Sequence, residues 1–407
     1  MTAAPTTAAP FAPSDRAFVA NPYPAYAELR RVGGVHYCDQ TGQWLVPRYE
    51  DVHGLLRDSR LGRTYLHRFT HGEFGREPPP PEFEPFHLLN GNGILDLEAP
   101  DHTRIRSLVA KAFTPATVDQ LRPRVERLAN DLAEDLVMAG GGDLVAMVAE
   151  PLPVAVIAEM LGVPDSDRRL LRPWSAAICR MFEPNPDRET TAGAVQASTE
   201  FAEYLRALIV QRRQRPAADL ISGLIAAHDQ GDRLTEQEMI STCALLLNAG
   251  HEATVNATSG GWWTLFRHPE QLELLRREPR ILPAAIEELL RFDTPLQMFA
   301  RWVLDDIEID GVTVPRGSEV ALLFGSANRD EGQFEDPDRL DLTREPNRHV
   351  SFGLGIHFCL GAPLARIELA ASFGALLRMA PNLRLVRAPE WKPGYVVRGL
   401  AELLVQV

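Results

Sequence analysis

Apolar residues along the chain recur mostly at the three- and four-residue spacing of amphipathic helices, and a few stretches alternate as strands do. Strand-like alternation, broken by glycine-containing turns, predicts small β-sheets over 35–47, 302–324 and parts of 383–407. Helices are predicted over 23–32, a short segment from Tyr49, 102–113, 121–138, 151–161, 167–182, 189–214, 235–268, 283–292 and 360–377. The predicted fold class is therefore mostly α with small β-sheets.

The longest helical pattern has a charged residue near its apolar centre. It begins at a capping box, in which Thr235 and Glu238 can satisfy each other's backbone N–H groups, and continues to His268. This predicts a helix of roughly 50 Å at 1.5 Å per residue. The span 243–249 is apolar nearly all round, so this part is buried. Glu252 follows it, and a buried carboxylate is costly unless paired, so it is either part of a structural ion pair or a functional acid.

Two stretches lack a regular pattern. Residues 1–20 start with a segment rich in Ala, Thr and Pro that has neither the charged start nor the apolar centre of a signal peptide, and they predict a disordered N-terminal arm. Residues 61–100 contain a proline run over 78–81 and an Asn-Gly repeat over 90–93. Loops of this length are typical of a lid or a binding loop, and a linker between two domains is the alternative.

Composition and charge exclude several classes of function. The 407 residues are 45% hydrophobic and 24% charged, proportions typical of a globular protein. The formal net charge of −13 argues against nucleic-acid or anionic-membrane partners, because both need a clustered basic surface. The cysteines include no C-x-x-C pair, so zinc, iron–sulfur and dithiol sites lack their spacing, and a reducing cytoplasm is predicted. They stand at positions 38, 179, 243 and 359.

The segment 351–366 is the strongest candidate for chemistry. Cys359 lies just before the helical run that starts at Leu360, where unpaired N–H groups and the helix dipole favour an anion. Nearby glycines leave room for a flat group to approach the backbone. A lone cysteine is more often a small buried hydrophobe. The glycines do not match the dinucleotide-binding pattern G-x-G-x-x-G, because the sixth position counted from Gly353 is Phe358 instead of a glycine.

The spacing within this segment resembles the haem-ligand signature of the cytochrome P450 family, F-x-x-G-x-x-x-C-x-G. It is carried by Phe352, Gly355, Cys359 and Gly361, with His357 as the basic residue two before the cysteine. The resemblance covers about 21–407 and implies one domain with that family's mostly helical triangular-prism fold around one haem b. It also implies that Cys359 is the iron ligand and that Phe352, His357 and Gly361 line the cofactor.

Other residues match the family's remaining cofactor segments. His102 and Arg106 share a helix face and correspond to haem-propionate ligands, as does Arg301. The segment 249–252 resembles the oxygen-activating segment, in which Gly250 lets the helix bow over the haem and Glu252 relays protons.

The chain departs from the family pattern directly after this acid. A threonine is common there, but the chain has Ala253, and Thr254 is rotated by about 100° from that place. We therefore expect water, Thr254 or a hydroxyl group of the substrate to complete the proton relay.

A structural pair and the substrate contacts also follow from the resemblance. Glu288 and Arg291 match the family's E-x-x-R pair, which a later arginine completes, and Arg339 is the predicted third member. The tip 397–400 is expected to reach the pocket. The predicted substrate contacts are Leu296, Gln297, Met298 and Phe299.

The function implied by the resemblance is a haem-thiolate monooxygenase. A thiolate ligand favours O–O cleavage, so insertion of one atom of O2 into an apolar small molecule, a secondary metabolite, is expected. Electrons are expected from a ferredoxin and its reductase, docking on a basic patch of Arg104, Lys111 and Arg366 on a monomer. Two alternatives remain: an atypical oxidase or peroxygenase that performs coupling, cyclisation or desaturation, as Ala253 suggests, and a haem-thiolate sensor.

Overall fold

The computed structural model describes residues 11–229 and 234–407. The α-helices of these ranges are α1 (Arg16–Ala20), α2 (Tyr23–Val32), α3 (Tyr49–Leu55), α4 (Glu84–Gly91), α5 (Asp101–Val109), α6 (Pro115–Met138), α7 (Pro151–Leu161), α8 (Arg168–Cys179), α9 (Arg188–Gln214), α10 (Leu220–Asp229), α11 (Glu236–Arg267), α12 (Pro269–Arg277), α13 (Leu282–Phe292), α14 (Phe324–Ala327) and α15 (Ala362–Met379). The strands are β1 (His36–Cys38), β2 (Gln43–Val46), β3 (Leu61–Gly62), β4 (Gly141–Asp143), β5 (Phe299–Val303), β6 (Ile307–Ile309), β7 (Val312–Val314), β8 (Glu319–Leu322), β9 (Arg384–Leu385) and β10 (Leu404–Gln406).

Within the described ranges, three small sheets accompany the helices. The largest has the strand order β1-β2-β8-β5-β3, in which β2 and β8 are parallel and β5 pairs antiparallel with β8. A second sheet has the order β4-β10-β9, and β6 pairs with β7. The predicted class, mostly α with small sheets, is confirmed.

Helix α11 runs through the centre of the helical layer. The predicted capping box is present, since the Glu238 N–H group donates to Thr235 Oγ1 at 3.1 Å and the Thr235 N–H group donates to Glu238 Oε2 at 2.7 Å. Further along, Trp262 stacks on Phe373 of α15 with ring centroids 5.2 Å apart. Gly261 permits this contact, because a Cβ there would lie 2.8 Å from the Phe373 ring. The start of α11 is thus fixed by its capping box, and its C-terminal half is fixed against α15.

The irregular stretch 61–100 folds back onto α11. It contains α4, and the Ser241 hydroxyl group of α11 donates to the carbonyl oxygen of Leu88 at 3.0 Å. Gly93 lies close to α11, because a Cβ there would be 3.4 Å from the Leu245 side chain. This packing does not fit a linker between domains, and it places the stretch over the site described below.

The predicted disordered arm over 1–20 is wrong for its second half. Phe11 and Phe18 are buried, and the ring of Phe11 packs edge-on against Phe18 and against Tyr395, with both centroid distances at 5.3 Å. Burial of these apolar side chains orders the segment, although the Ala-, Thr- and Pro-rich composition before it is typical of a disordered arm. The remainder of the predicted arm, residues 1–10, lies outside the described residues. None of the helices in 11–229 and 234–407 is long and apolar enough to cross a membrane.

Candidate active site

The loop before α15 has a tightly fixed backbone. The Cys359 N–H group donates to the carbonyl oxygen of Phe352 at 2.9 Å, which closes the loop. Gly353 and Gly355 have φ values of +65° and +70°, a region that favours glycine. A Cβ on Gly355 would also lie 2.6 Å from the carbonyl oxygen of Leu56. These constraints hold the Cys359 side chain at the wall of a large cavity that reaches α11.

Opposing effects act on the Cys359 thiol. Burial raises its pKa, whereas the backbone N–H groups of Gly361 and Ala362 and the charge of Arg106 lower it. Burial prevails, so the pKa of Cys359 lies above its ordinary value, and a bound metal cation would favour the thiolate in this cradle of N–H groups.

The basic side chains of Arg301 and His357 line the same end of the cavity, and His102 lies directly behind His357. His102 is 1% exposed, and neither ring nitrogen has a hydrogen-bond partner within the described residues. Its ring centroid lies 4.6 Å from that of His357, whose Nε2 lies 3.2 Å from Glu98 Oε1. Burial lowers the pKa of His102 to about 4 and that of Arg301 to about 9. Buried basic groups with unfilled bonding capacity fit an anionic ligand such as the carboxylates of haem b.

Arg106 has a different immediate partner from these residues. Its Nη2 atom donates to the carbonyl oxygen of Phe358 at 2.6 Å, and the side chain also lines the cavity. Arg106 therefore connects α5 to the loop that carries Cys359.

Glu252 lies on the wall of the same cavity and is paired. Its Oε1 atom is 2.9 Å from Lys392 Nζ, and its Oε2 atom is 4.0 Å from His251 Nε2. Burial raises the pKa of the Glu252 carboxyl group, but the Lys392 ammonium, together with His251 and Arg172, holds that pKa below its usual value. Glu252 is thus both a member of an ion pair and a candidate functional acid, because the paired carboxylate also faces the cavity.

Thr254 points toward a second carboxyl group. Its side chain interacts with Glu368 of α15, and burial raises the pKa of Glu368 to about 8. Both residues line the cavity together with Ala253. Gly250 lies against Ile157 of α7, since a Cβ there would be 3.0 Å from that side chain. The site therefore contains one ionised acid on α11, Glu252, and one protonated acid on α15, Glu368.

Two of the four predicted substrate contacts are wrong. Leu296 and Phe299 line the cavity, but Gln297 and Met298 point into the core beside Tyr26 and are not part of its wall. Gln297 is fully buried there, where its Nε2 donates to the Thr294 carbonyl oxygen at 2.7 Å and its Oε1 accepts from Tyr26 at 3.0 Å. Val397 reaches the cavity as predicted.

The buried ion pair of α13 is completed by Arg344, not by Arg339. Arg291 donates to both carboxylate oxygens of Glu288, at 2.7 and 2.8 Å, and Arg344 Nε lies 3.2 Å from Glu288 Oε1. The Arg339 side chain is 66% exposed and pairs with Asp341. The backbone path turns the carbonyl oxygen of Arg339, rather than its guanidinium group, toward Arg291.

Comparison with known proteins decides the family. The family model described as "Cytochrome P450" matches residues 175–379. The protein "Polyketide biosynthesis cytochrome P450 PksS" of Bacillus subtilis strain 168 is 38% identical over 93% of this chain and 91% of its own length. The chain belongs to the cytochrome P450 family. This P450 is therefore a haem b protein and an oxidoreductase of the monooxygenase class.

Other relatives extend over the whole chain. "Mycinamicin IV hydroxylase/epoxidase" of Micromonospora griseorubida is 39% identical over 100% of both chains. The structure titled "Crystal Structure of P450BioI in complex with hexadec-9Z-enoic acid ligated Acyl Carrier Protein" superposes with a TM-score of 0.90 at 36% identity, over 96% of this P450 and 99% of that chain. The triangular-prism fold expected from the sequence is thereby confirmed.

Several residues of the site were missed by the sequence interpretation. Glu368 had a signal, because it is a lone acid in the apolar run after Cys359 and the argument applied to Glu252 applies to it equally. Asn248 could have been identified in the same way, because it is the one amide side chain in the apolar span 243–249. Lys392 had none, since it lies in an irregular segment before β10 where no periodicity indicates its neighbours.

Proposed function

We propose that this P450 inserts one oxygen atom from O2 into an apolar secondary metabolite. The observation that carries the proposal is that one cavity joins Cys359, the acid Glu252 and a wall made largely of apolar side chains. Pockets of this kind bind apolar ligands and orient them with a few polar groups. The names of the relatives from polyketide and mycinamicin metabolism support a secondary metabolite as the substrate class.

Distinct residues are assigned to hold the cofactor. Cys359 would ligate the iron as a thiolate, with Phe352, His357 and Gly361 around the ring, and His102, Arg106 and Arg301 would face its carboxylates. When bound, a thiolate-ligated haem supplies oxidation of a C–H bond by O2 with two electrons from a redox partner. The surrounding apolar wall excludes water, which strengthens electrostatic interactions inside the site.

Glu252 is assigned to move protons between solvent and the cavity. Lys392, 26% exposed, links the carboxylate to the surface, so a proton can enter along this pair. Thr254 and the protonated Glu368 form a second donor group on the other side of Ala253. Water or a substrate hydroxyl group then fills the place of the missing threonine hydroxyl.

Glu252→Gln is expected to lower product formation by about 100-fold, because positioned proton transfer typically contributes 10²–10⁴-fold. Peroxide release per NADPH consumed should rise in parallel. Both quantities are measured in the reconstituted system at saturating substrate. Full, well-coupled turnover by Glu252→Gln would refute the relay.

Lys392→Met is the matched variant, because it keeps the carboxyl group and removes only the cation. Burial then prevails and the pKa of Glu252 rises, whereas the wild-type carboxylate is ionised at neutral pH. The acidic limb of the pH–rate profile should therefore move to higher pH in Lys392→Met and stay in place in Lys392→Arg. Identical profiles for all three proteins would contradict the role of Lys392.

A ferredoxin is the proposed redox partner of a monomeric, cytoplasmic P450. The docking surface is the face outside the Cys359 loop, where the apolar side chains of Ile356 and Phe358 are 49% and 39% exposed. The basic patch inferred from the sequence is weakened, since Arg104 pairs with Glu238 and Arg366 is bidentate to Glu287. Lys111 keeps an exposed position.

Lys111→Glu should accordingly slow reduction by an acidic ferredoxin several-fold at low ionic strength and have little effect at high salt. Stopped-flow reduction under CO measures this rate, with Lys111→Arg as control. An unchanged rate at low salt would remove Lys111 from the docking surface.

Labelled oxygen tests the proposed reaction. With ferredoxin, its reductase, NADPH and ¹⁸O2, an oxidised product carrying one ¹⁸O atom is expected from an apolar substrate panel. A product formed only with hydrogen peroxide would favour the peroxygenase alternative, to which Ala253 points. Loss of two hydrogens without oxygen incorporation would favour desaturation or coupling, and binding without turnover would favour a sensor.

A further inference from the structure

Asn248 places a side-chain amide on the wall of the cavity. It lies on α11, is 5% exposed and forms part of the cavity wall. Its Oδ1 atom is buried and has no hydrogen-bond partner within the described residues. Buried side-chain amides are almost always hydrogen-bonded, because leaving them unpaired is costly. Such a group inside a ligand cavity points to a ligand that supplies the missing bond.

The surroundings of Asn248 do not supply that bond. The neighbouring cavity residues of α11, Leu245, Leu246 and Ala249, carry apolar side chains. Of the polar groups on the wall, Glu252 is held by Lys392 and the Cys179 thiol is 3.9 Å from Ser175 Oγ. Thr254 is bonded to Glu368 of α15, whose own Oε1 atom is also buried without a partner within the described residues. Among the polar side chains that α11 contributes to the wall, the amide of Asn248 is therefore the one left to interact with a substrate.

The chemistry of an amide narrows the class of substrate. The side chain can rotate by half a turn, so that either its oxygen or its nitrogen faces the cavity. A hydroxyl group both donates and accepts, and it satisfies either orientation. A carbonyl group only accepts, so it would leave the Oδ1 atom, which is the unpaired one, without a donor. An ammonium group would carry an unpaired charge into an apolar wall. A neutral hydroxyl group is the partner that fits.

The position of Asn248 on the helix gives the placement of that hydroxyl group. Asn248 precedes Glu252 by four residues, so the two side chains share a face of α11 about 6 Å apart along its axis. A substrate anchored at Asn248 would thus present a carbon atom remote from its hydroxyl group to the reactive end of the cavity. This is a positioning role, separate from the proton relay.

We propose that Asn248 is a specificity-determining residue that binds a hydroxyl group already present on an otherwise apolar substrate. The inference rests on the proposed function, because it takes the cavity as the substrate site. It implies that an earlier hydroxylation or ketoreduction must supply the substrate of this P450.

Iron-binding probes of graded length test the proposal on the holoprotein. A series of 1-alkylimidazoles is compared with the matching 1-(ω-hydroxyalkyl)imidazoles by optical titration of the haem band. At the chain length that reaches Asn248, the ratio of the two dissociation constants should favour the hydroxyl probe about tenfold more in the wild type than in Asn248→Leu. Leu246→Met, which changes a neighbouring apolar residue of the wall, should keep the wild-type ratio.

Thermal unfolding without ligand gives a second measurement. If the amide is unpaired until a substrate binds, Asn248→Leu should have a Tm equal to or above that of the wild type. Equal probe ratios in wild type and Asn248→Leu at every chain length would overturn the proposal. A clear drop in Tm would also overturn it, since the amide would then be satisfied within the protein. Failure of the proposed function is distinguishable, because it would appear as absent turnover or an absent thiolate spectrum with the probe ratio intact.

Discussion

Cys359→Ser is expected to abolish turnover and to remove the strongly red-shifted Soret band of the reduced CO complex. A serine hydroxyl group does not ionise in the cradle formed by the Gly361 and Ala362 N–H groups, so it cannot supply the thiolate that favours O–O cleavage. The expected loss of product formation is at least about 10³-fold, as for removal of a group on which the chemistry depends. Reduced, CO-treated spectra of the purified wild type and variant provide the measurement.

Cys179→Ser is the matched control, because Cys179 is the second thiol on the wall of the same cavity. Burial raises the pKa of Cys179 to about 12, so it stays a neutral thiol at neutral pH. Its replacement should leave the red-shifted band in place. If the band instead survived in Cys359→Ser and vanished in Cys179→Ser, the ligand would have been assigned to the wrong cysteine.

The parts of the site that could be predicted from sequence are those with local determinants. The course of α11 follows from a capping box and a helical pattern that continues to His268, and the Cys359 loop follows from the spacing of its glycines and cysteine, with Gly353 and Gly355 at positive φ values. Glu252 could be identified because a carboxylate interrupts an apolar helix. In each case the pattern and the structural consequence lie within a few turns of one another.

The parts of the site that could not be predicted depend on the backbone path of irregular segments. Arg339 and Arg344 are five residues apart in a loop, and no periodicity indicates which guanidinium group faces Glu288. Gln297 and Met298 follow the end of α13 without strand alternation, so the direction of each side chain is set by tertiary contacts with α2. Lys392 meets Glu252 across 140 residues of sequence.

Glu288→Ala is expected to lower the free energy of unfolding by at least about 3–5 kcal/mol, the range for breaking a buried ion pair from one side. The Glu288 carboxylate is fully buried and accepts hydrogen bonds from Arg291, Arg344, Asn347 and the backbone of Asp341. Its removal leaves the Arg291 guanidinium charge buried without a counter-ion. Urea denaturation followed by far-ultraviolet circular dichroism measures the loss, and haem absorbance should fall with it.

The two nearby arginines provide controls that also test the corrected pairing. Arg344→Ala removes a side chain that is 9% exposed and bonded to Glu288, so it should destabilise by about 1–3 kcal/mol. Arg339→Ala removes a mostly exposed side chain and should stay within about 0.5 kcal/mol of the wild type, as exposed ion pairs contribute little. The reverse order would restore Arg339 as the third member. Equal, small effects for Glu288→Ala and Arg339→Ala would show that the buried pair does not stabilise the fold.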